Sequence, residues 1–143
     1  MNKVNVAVWG IGNHAENRII PILNSIKEIN LIGICSRNKA SLKKNSIKWN
    51  CLAWSDPNKM LTLNELDVVY ISSPIGVHYS MCKAVLNAGK HAWCEKSLTC
   101  NLEETSKLVL LSKKYNKVLA ESFMYLYHPQ FQKVKEVAIK KNK

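Results

Sequence analysis

The feature that most constrains the fold is a series of short apolar segments that alternate with segments of helical spacing. The apolar segments are VNVAVWG, LIGIC, DVVYISS, HAWC and KVLAES, which begin at residues 4, 31, 67, 91 and 117, and CLAWSD at residue 51 suggests a further short strand. Strands that are apolar along their whole length usually form the inner layer of an α/β protein, with helices on both faces. The alternation therefore predicts an α/β fold built on a doubly wound parallel sheet.

The segments between the strands predict the helices and the domain limits. The segment HAENRIIPILNSIKEI has helical spacing, although Pro21 is expected to kink it. Further helices are predicted in KASLKKNSIK, PNKML, VHYSMCKAVLNAG and NLEETSKLVLLSKKYN. Residues 1–122 are therefore expected to form one domain. Residues 123–143 read as an aromatic loop followed by an amphipathic helix, and we expect them to be a crossover segment leading into a second domain.

Composition limits the classes of partner. The net charge of +11 comes almost entirely from lysines scattered over the predicted helix surfaces. This dispersal argues against a nucleic-acid partner, although a basic chain favours phosphate-bearing ligands. No apolar run is long enough for a membrane span, and the first residues lack a signal-peptide pattern. The five cysteines form no CxxC pair, which predicts no metal site and a cytoplasmic location.

A glycine turn follows the first predicted strand. Gly10 and Gly12 occupy the first two glycine positions of a GxGxxG/A pattern, and Ala15 occupies the third. In this strand–turn–helix setting the glycines allow a tight turn and the close approach of a pyrophosphate. The pattern predicts a Rossmann-type dinucleotide-binding domain. The alternative is a glycine turn that serves only the fold.

The end of the second predicted strand bears on the choice of cofactor. Folds that bind NAD usually carry an acidic residue there, which holds the ribose hydroxyls. The window LIGICSRNKA contains no Asp or Glu, and Ser36 and Arg37 stand at the expected place. A hydroxyl and a guanidinium suit a 2′-phosphate, so NADP is favoured over NAD. The same absence argues against a methyltransferase that uses S-adenosylmethionine. Arg37 as an ordinary surface arginine is the alternative.

Two adjacent charges follow the strand HAWC. Glu95 and Lys96 lie where a buried strand is predicted to end, and burying a charge is costly unless it is paired or used. Ligands of open α/β sheets bind at the carboxyl ends of the strands. The pair is therefore a candidate site, with a partly exposed ion pair as the alternative.

Four stretches together resemble one protein family. They are GIGNHA at 10–15, SSPIGVHYSM at 72–81, AGKHAWCEKSL at 88–98 and AESFMYLYHPQFQKVKEV at 120–137. In this order and spacing they resemble the N-terminal NAD(P)-binding domain of the glucose–fructose oxidoreductase, inositol dehydrogenase and MocA-like family. The resemblance implies hydride transfer between a nicotinamide cofactor and a sugar- or polyol-type hydroxyl or carbonyl.

The resemblance also implies roles for individual residues. Glu95 and Lys96 match the first two positions of the family's Glu-Lys-Pro signature, with Glu95 near the nicotinamide ribose and Lys96 as the catalytic residue. SSPIGVH matches its Thr-Pro-Asn-x-x-His turn, in which His78 would have a positioning role. Ser97 and Ile75 depart from the usual proline and asparagine. The residues predicted to hold the cofactor are Gly10, Ile11, Gly12, Asn13, His14, Ser36, Arg37, Ser73, Pro74, His78, Glu95 and Lys96.

Members of the family continue with a second α/β domain that builds the substrate pocket. The 143 residues are therefore expected to be a fragment, inactive alone, of an enzyme that acts on a small sugar or polyol and that could form a homo-oligomer. Two alternatives remain open at this point. One is a stand-alone nucleotide-binding or sensor module without catalysis, and the other is the remnant of a truncated gene.

Overall fold

The structure is a computed structural model that describes residues 3–141. The strands are β1 (Val4–Trp9), β2 (Ile29–Cys35), β3 (Leu52–Trp54), β4 (Val68–Ile71), β5 (His91–Cys94) and β6 (Leu119–Glu121). The α-helices are α1 (Ile20–Ser25), α2 (Lys39–Trp49), α3 (Pro57–Leu61), α4 (His78–Asn87), α5 (Leu102–Lys114) and α6 (Pro129–Lys141). A π-helical turn (Ala15–Ile19) precedes α1, and 3₁₀ turns occupy Ile75–Val77 and Met124–Tyr127.

The six described strands form one parallel sheet in the order β3-β2-β1-β4-β5-β6. The predicted Rossmann-type fold is thus confirmed. In this order the strand sequence reverses between β1 and β4, and the helices after these two strands lie on opposite faces of the sheet. The carboxyl ends of β1 and β4 therefore open a crevice, which is where such sheets bind ligands.

Two apolar cores lie on opposite faces of the sheet. Along β1, Val6 and Val8 point to one face and Ala7 to the other, as the two-residue period of a strand requires. The first core, packed by α1 and α2, contains Val6, Val8, Ile20, Leu23, Leu31, Ile34, Leu42 and Tyr70. The second core, packed by α3, α4 and α5, contains Ala7, Met60, Val69, Ile71, Met81, Val85, Leu86, Cys94 and Leu108.

Local sequence signals explain where three helices begin. The side chains of Asn38, Asp56 and Asn101 each accept a hydrogen bond from a backbone N–H of the first turn that follows. Pro57 at the first position of α3 sacrifices no helical hydrogen bond, because that N–H would have had no partner. The short loops before α2, α3 and α5 are therefore fixed by their own side chains.

The first helix differs from the sequence prediction. The single kinked helix predicted over residues 14–29 is a π-helical turn followed by α1, which ends at Ser25. Pro21 has no N–H and cannot continue the normal α-helical ladder, and Ile20 N–H instead donates to Ala15 O, five residues earlier. The distortion thus lies next to the glycine turn.

The segment after β6 forms the predicted aromatic loop and helix. The Tyr125 ring contacts the rings of Phe123 and Phe131 edge to face, with centroid distances of 5.5 and 5.0 Å. Around this cluster several large apolar side chains are exposed: Met124, Tyr127, Val134, Val137 and Ile139. No helix within residues 3–141 is both long and apolar enough to cross a membrane. A domain boundary at residue 123 stays a prediction.

Candidate functional site

The glycine turn lies tightly between the ends of three strands. Gly10 has a φ of +103°, a conformation that side-chain-bearing residues rarely adopt, and its N–H donates to Cys35 O at 2.9 Å. A Cβ atom on Gly10 would lie 2.2 Å from Ser72 O, the backbone that follows β4. The fold itself therefore requires glycine at this position.

Gly12 has a different environment. A Cβ atom there would meet no atom of residues 3–141 within 4 Å, although Gly12 lines a cleft. The space in front of Gly12 is open. It lies beside the first amides of the following helical segment, which lack hydrogen-bond partners within the helix. This arrangement fits the pyrophosphate of a dinucleotide. The buried Ala15 lets the helix approach the sheet.

The cleft has a volume of about 470 Å³ and lies at the carboxyl ends of β1 to β4. Seven of the predicted cofactor residues line it: Gly10, Ile11, Gly12, Ser36, Arg37, Ser73 and Pro74. The structure thus brings together the glycine turn, the end of β2 and the turn after β4. Among the lining residues, all within the described range, none is acidic.

The side of the cleft beyond β2 is built by Ser36, Arg37 and Asn38. Ser36 N–H donates to Trp54 O at 3.0 Å, and the Ser36 hydroxyl accepts from Asn38 N–H at 3.2 Å. These bonds fix the backbone and leave Arg37 exposed at the rim. Burial raises the pKa of the neighbouring Cys35 thiol to about 12, so this cysteine stays protonated and is no nucleophile at neutral pH.

The Glu95 carboxylate is held by two side chains from other elements. Glu95 Oε1 accepts a hydrogen bond from the Tyr70 hydroxyl of β4, and it lies 3.0 Å from His14 Nε2 just after the glycine turn. Glu95 Oε2 accepts from Lys96 N–H at 3.3 Å. The glycine turn and the end of β5 are therefore joined through this one carboxylate.

Tyr70 is the buried member of this group, with 2% of its surface exposed. Its ring contacts Trp93 edge to face at 4.8 Å, and its hydroxyl oxygen lies 3.3 Å from the Ser122 hydroxyl. Burial raises the pKa of the Tyr70 hydroxyl, and the bond to Glu95 raises it further. Tyr70 therefore stays protonated and can donate to Glu95.

Lys96 is exposed and lies next to this carboxylate without pairing to it. Within residues 3–141, no carboxylate oxygen comes within 4.0 Å of the Lys96 ammonium. A Glu95–Lys96 ion pair, the alternative considered from the sequence, is thus absent. The Lys96–Ser97 peptide bond is cis, and Leu98 N–H donates to Glu121 Oε1 at 2.7 Å, which ties this loop to β6.

His78 lies behind the cleft wall. It is 1% exposed, and its ring nitrogens lie 2.6 Å from Ser73 O and 2.8 Å from Ser97 O. The imidazole thereby links the turn after β4 to the loop after β5. This geometry fits the positioning role and places no ring atom against the cleft.

Other residues at the site were not predicted from the sequence. Asn38, Ser55, Pro57 and Ser80 line the cleft, and Tyr70 and Ser122 support Glu95. Ser55 and Pro57 follow β3, so the rule that ligands bind after parallel strands could have found them. Nothing in the sequence pattern distinguishes Tyr70 from an ordinary core tyrosine.

Comparisons with known proteins agree with this geometry. The sequence profile of an oxidoreductase family with an NAD-binding Rossmann fold matches residues 4–123. A dTDP-3,4-didehydro-2,6-dideoxy-alpha-D-glucose 3-reductase of Saccharopolyspora spinosa is 28% identical over 134 residues, which are 94% of this chain and 40% of that protein. The NADP(+)-dependent scyllo-inositol 2-dehydrogenase IolU of Bacillus subtilis is 29% identical over 87% of this chain and 38% of its own length.

Solved structures give the same result. The 3-ketoreductase KijD10 from Actinomadura kijaniata, in complex with TDP-benzene and NADP, superposes with a TM-score of 0.90 at 27% identity and covers 97% of this chain and 44% of its own. The chain thus spans about 40% of the length of the curated relatives it matches. Because the family profile covers most of the sequence, the chain belongs to the glucose–fructose oxidoreductase, inositol dehydrogenase and MocA-like family of oxidoreductases.

Proposed function

We propose that this chain is the cofactor-binding part of an NADP-preferring oxidoreductase that transfers a hydride between the nicotinamide and a sugar- or polyol-type hydroxyl or carbonyl. One observation carries the proposal. The cleft at the carboxyl ends of the strands is lined by the glycine turn on one side and by Arg37 on the other, and none of the described residues that line it is acidic. This combination supports a dinucleotide with an additional phosphate.

The preference for NADP follows from the charges at the end of β2. A carboxylate at this place would accept hydrogen bonds from two ribose hydroxyls and would repel a 2′-phosphate. Ser36 offers a hydroxyl, and Arg37 offers a guanidinium that can bind two phosphate oxygens at once. Two relatives point the same way, since KijD10 structures contain NADP and IolU is described as NADP(+)-dependent.

The remaining predicted residues act at the phosphates and at the nicotinamide end. Ile11, within the glycine turn, and Asn13, just after it, would border the phosphates, whereas His14 contacts Glu95 and would act at the nicotinamide end. Ser73 and Pro74 form the cleft wall after β4. Glu95 would face the nicotinamide ribose, with His78 holding the two loops behind it.

Lys96 is the proposed catalytic residue. When bound, the nicotinamide supplies or accepts the hydride. Among residues 3–141, the exposed Lys96 ammonium forms no ion pair that would compete for its protons, so it can donate a hydrogen bond to the substrate oxygen. It would stabilise negative charge on that oxygen and exchange a proton with it.

The substrate class rests on the relatives. Their names describe reduction of a dTDP-linked keto sugar and oxidation of scyllo-inositol. Both substrates are rings with several hydroxyl or carbonyl groups, so a sugar or polyol is proposed here. A homo-oligomeric assembly and a cytoplasmic location also remain predictions.

The test is to titrate the 143-residue protein with NADPH and with NADH and to monitor binding by tryptophan fluorescence, because Trp9 lines the cleft. We expect NADPH to bind more tightly by roughly tenfold or more, the value of a charge-assisted hydrogen bond. Arg37→Asp should reverse the order. Lys43→Asp changes the net charge equally on the exposed surface of α2 and should leave the order unchanged. Equal affinities that Arg37→Asp does not alter would contradict the cofactor assignment.

A further inference from the structure

We infer that Tyr70 and His14 are positioning residues for the nicotinamide half of the cofactor, which they orient by holding Glu95 Oε1 from two sides. The inference rests on the proposed function, because it assigns roles relative to the proposed cofactor. It concerns two residues that touch Glu95 and that act through its carboxylate. Neither role follows from the glycine pattern or from the Glu95–Lys96 pair.

The two contacts define the orientation of the carboxylate. A glutamate side chain has three rotatable bonds, and a single donor would leave the carboxylate free to swing about that contact. Tyr70 reaches Glu95 Oε1 from β4, whereas His14 reaches the same oxygen from the segment after the glycine turn. Glu95 Oε2 meets only the N–H of the next residue, at 3.3 Å, among the hydrogen bonds of residues 3–141. Oε2 therefore keeps acceptor capacity for a ribose hydroxyl.

Tyr70 has the properties of a fixed donor. Its ring is buried against Trp93, which prevents the hydroxyl from moving. The Ser122 hydroxyl donates to the Tyr70 hydroxyl oxygen, and the hydroxyl proton of Tyr70 is donated to Glu95. The chain of donation from Ser122 through Tyr70 to Glu95 runs in one direction. A phenylalanine would fill the same core volume, and the hydroxyl is the part that acts on the carboxylate.

His14 gives the arrangement its link to the phosphate-binding turn. It lies two residues after Gly12, and its ring crosses to a residue 81 positions later in the chain. About half of the His14 side chain is exposed, whereas the Glu95 side chain is 13% exposed. A shift of the glycine turn would therefore move the donor that sets the direction of Glu95.

The first test uses Tyr70→Phe with Tyr79→Phe as the matched control, because Tyr79 packs on the core from α4 and its hydroxyl does not donate to Glu95. Binding is measured for NADPH and for adenosine 2′,5′-bisphosphate, which lacks the nicotinamide half. We expect Tyr70→Phe to weaken NADPH binding by roughly three- to tenfold, the value of one ordinary hydrogen bond, because Tyr70 acts on the cofactor only through Glu95. Affinity for the bisphosphate should stay within about twofold. Tyr79→Phe should change neither.

The second test uses the exposed partner, so that it does not depend on a core substitution. His14→Ala should weaken NADPH selectively, and His14→Gln, which keeps an N–H donor, should restore part of the affinity. Thermal unfolding of each variant separates these effects from loss of the fold.

The outcomes distinguish this inference from the proposed function. If the unaltered protein binds neither ligand, the proposed function fails and the inference fails with it. If it binds both, but Tyr70→Phe and His14→Ala leave NADPH binding unchanged, the inference is wrong and the proposed function stands. Equal weakening of both ligands would show a general structural role and would also overturn the inference.

Discussion

Replacing Gly10 and Gly12 by alanine, one at a time, separates what the fold needs from what the ligand needs. In Gly10→Ala the new Cβ would lie 2.2 Å from Ser72 O, on a residue whose φ is +103°. Backbone strain costs about 1–3 kcal/mol, and forcing an extra methyl group into packed structure costs about 1–3 kcal/mol more. The free energy of unfolding should fall by about 2–6 kcal/mol, which lowers Tm by on the order of 10 °C.

Gly12→Ala should behave in the opposite way. Its Cβ would meet no atom of the described part of the chain within 4 Å, and its φ lies outside the left-handed region. Alanine restricts the unfolded chain, so the free energy of unfolding should stay unchanged or rise by about 0.4–1 kcal/mol. The methyl group would, however, enter the space proposed for the pyrophosphate. NADPH affinity should fall by roughly tenfold or more, or at least about 1.4 kcal/mol.

Urea or thermal unfolding is monitored by circular dichroism, and the same samples are titrated with NADPH. Gly10→Ala should lose stability, and Gly12→Ala should lose binding alone. If Gly12→Ala bound NADPH as well as the original protein, the open space before this glycine would not be a phosphate site. If Gly10→Ala kept full stability, the fold would not require glycine beside Ser72.

Three further predictions concern catalysis, packing and association. Lys96→Ala is tested in a fusion of residues 1–143 with the remaining length of a sugar-reductase relative. Turnover should fall by a factor on the order of 10² to 10⁴, with little change in NADPH affinity. Near-normal turnover would remove Lys96 from the mechanism. Leu108→Ala should lower the free energy of unfolding by about 2–5 kcal/mol, because Leu108 is fully buried. Leu110→Ala, at a position 66% exposed, should lower it little. Equal losses of unfolding free energy in denaturant would contradict the described core. The 143-residue protein should self-associate through the exposed apolar side chains of α6, and solution mass should fall to the monomer in Val134→Lys/Val137→Lys; a monomer before substitution would refute this.

The fold followed from the sequence because its signals are local. Each strand is a short apolar run, and side-chain caps at Asn38, Asp56 and Asn101 mark three helix starts. The glycine turn was predictable for the same reason, since the turn and its flanking elements are continuous in the chain.

The support of Glu95 could not be predicted from local patterns. Tyr70 lies 25 residues before Glu95 in the chain, and His14 lies 81 residues before it. Their contacts with Glu95 depend on the register between β4 and β5 and on the path of the glycine turn. The π-helical turn was also missed, because Pro21 indicates a disturbed helix without specifying how the hydrogen bonds rearrange.

The placement of the two cores on opposite faces of the sheet has a consequence for combined mutations. Leu42 and Leu108 belong to different cores, which have no described residue in common, whereas Leu108 and Val85 lie in the same core. Energies of substitution add when two sites share no partners and deviate when they do. Leu42→Ala and Leu108→Ala should therefore combine additively, and a double-mutant cycle between Val85→Ala and Leu108→Ala should show a measurable coupling energy. The sheet divides this small domain into two compartments that can change independently of each other.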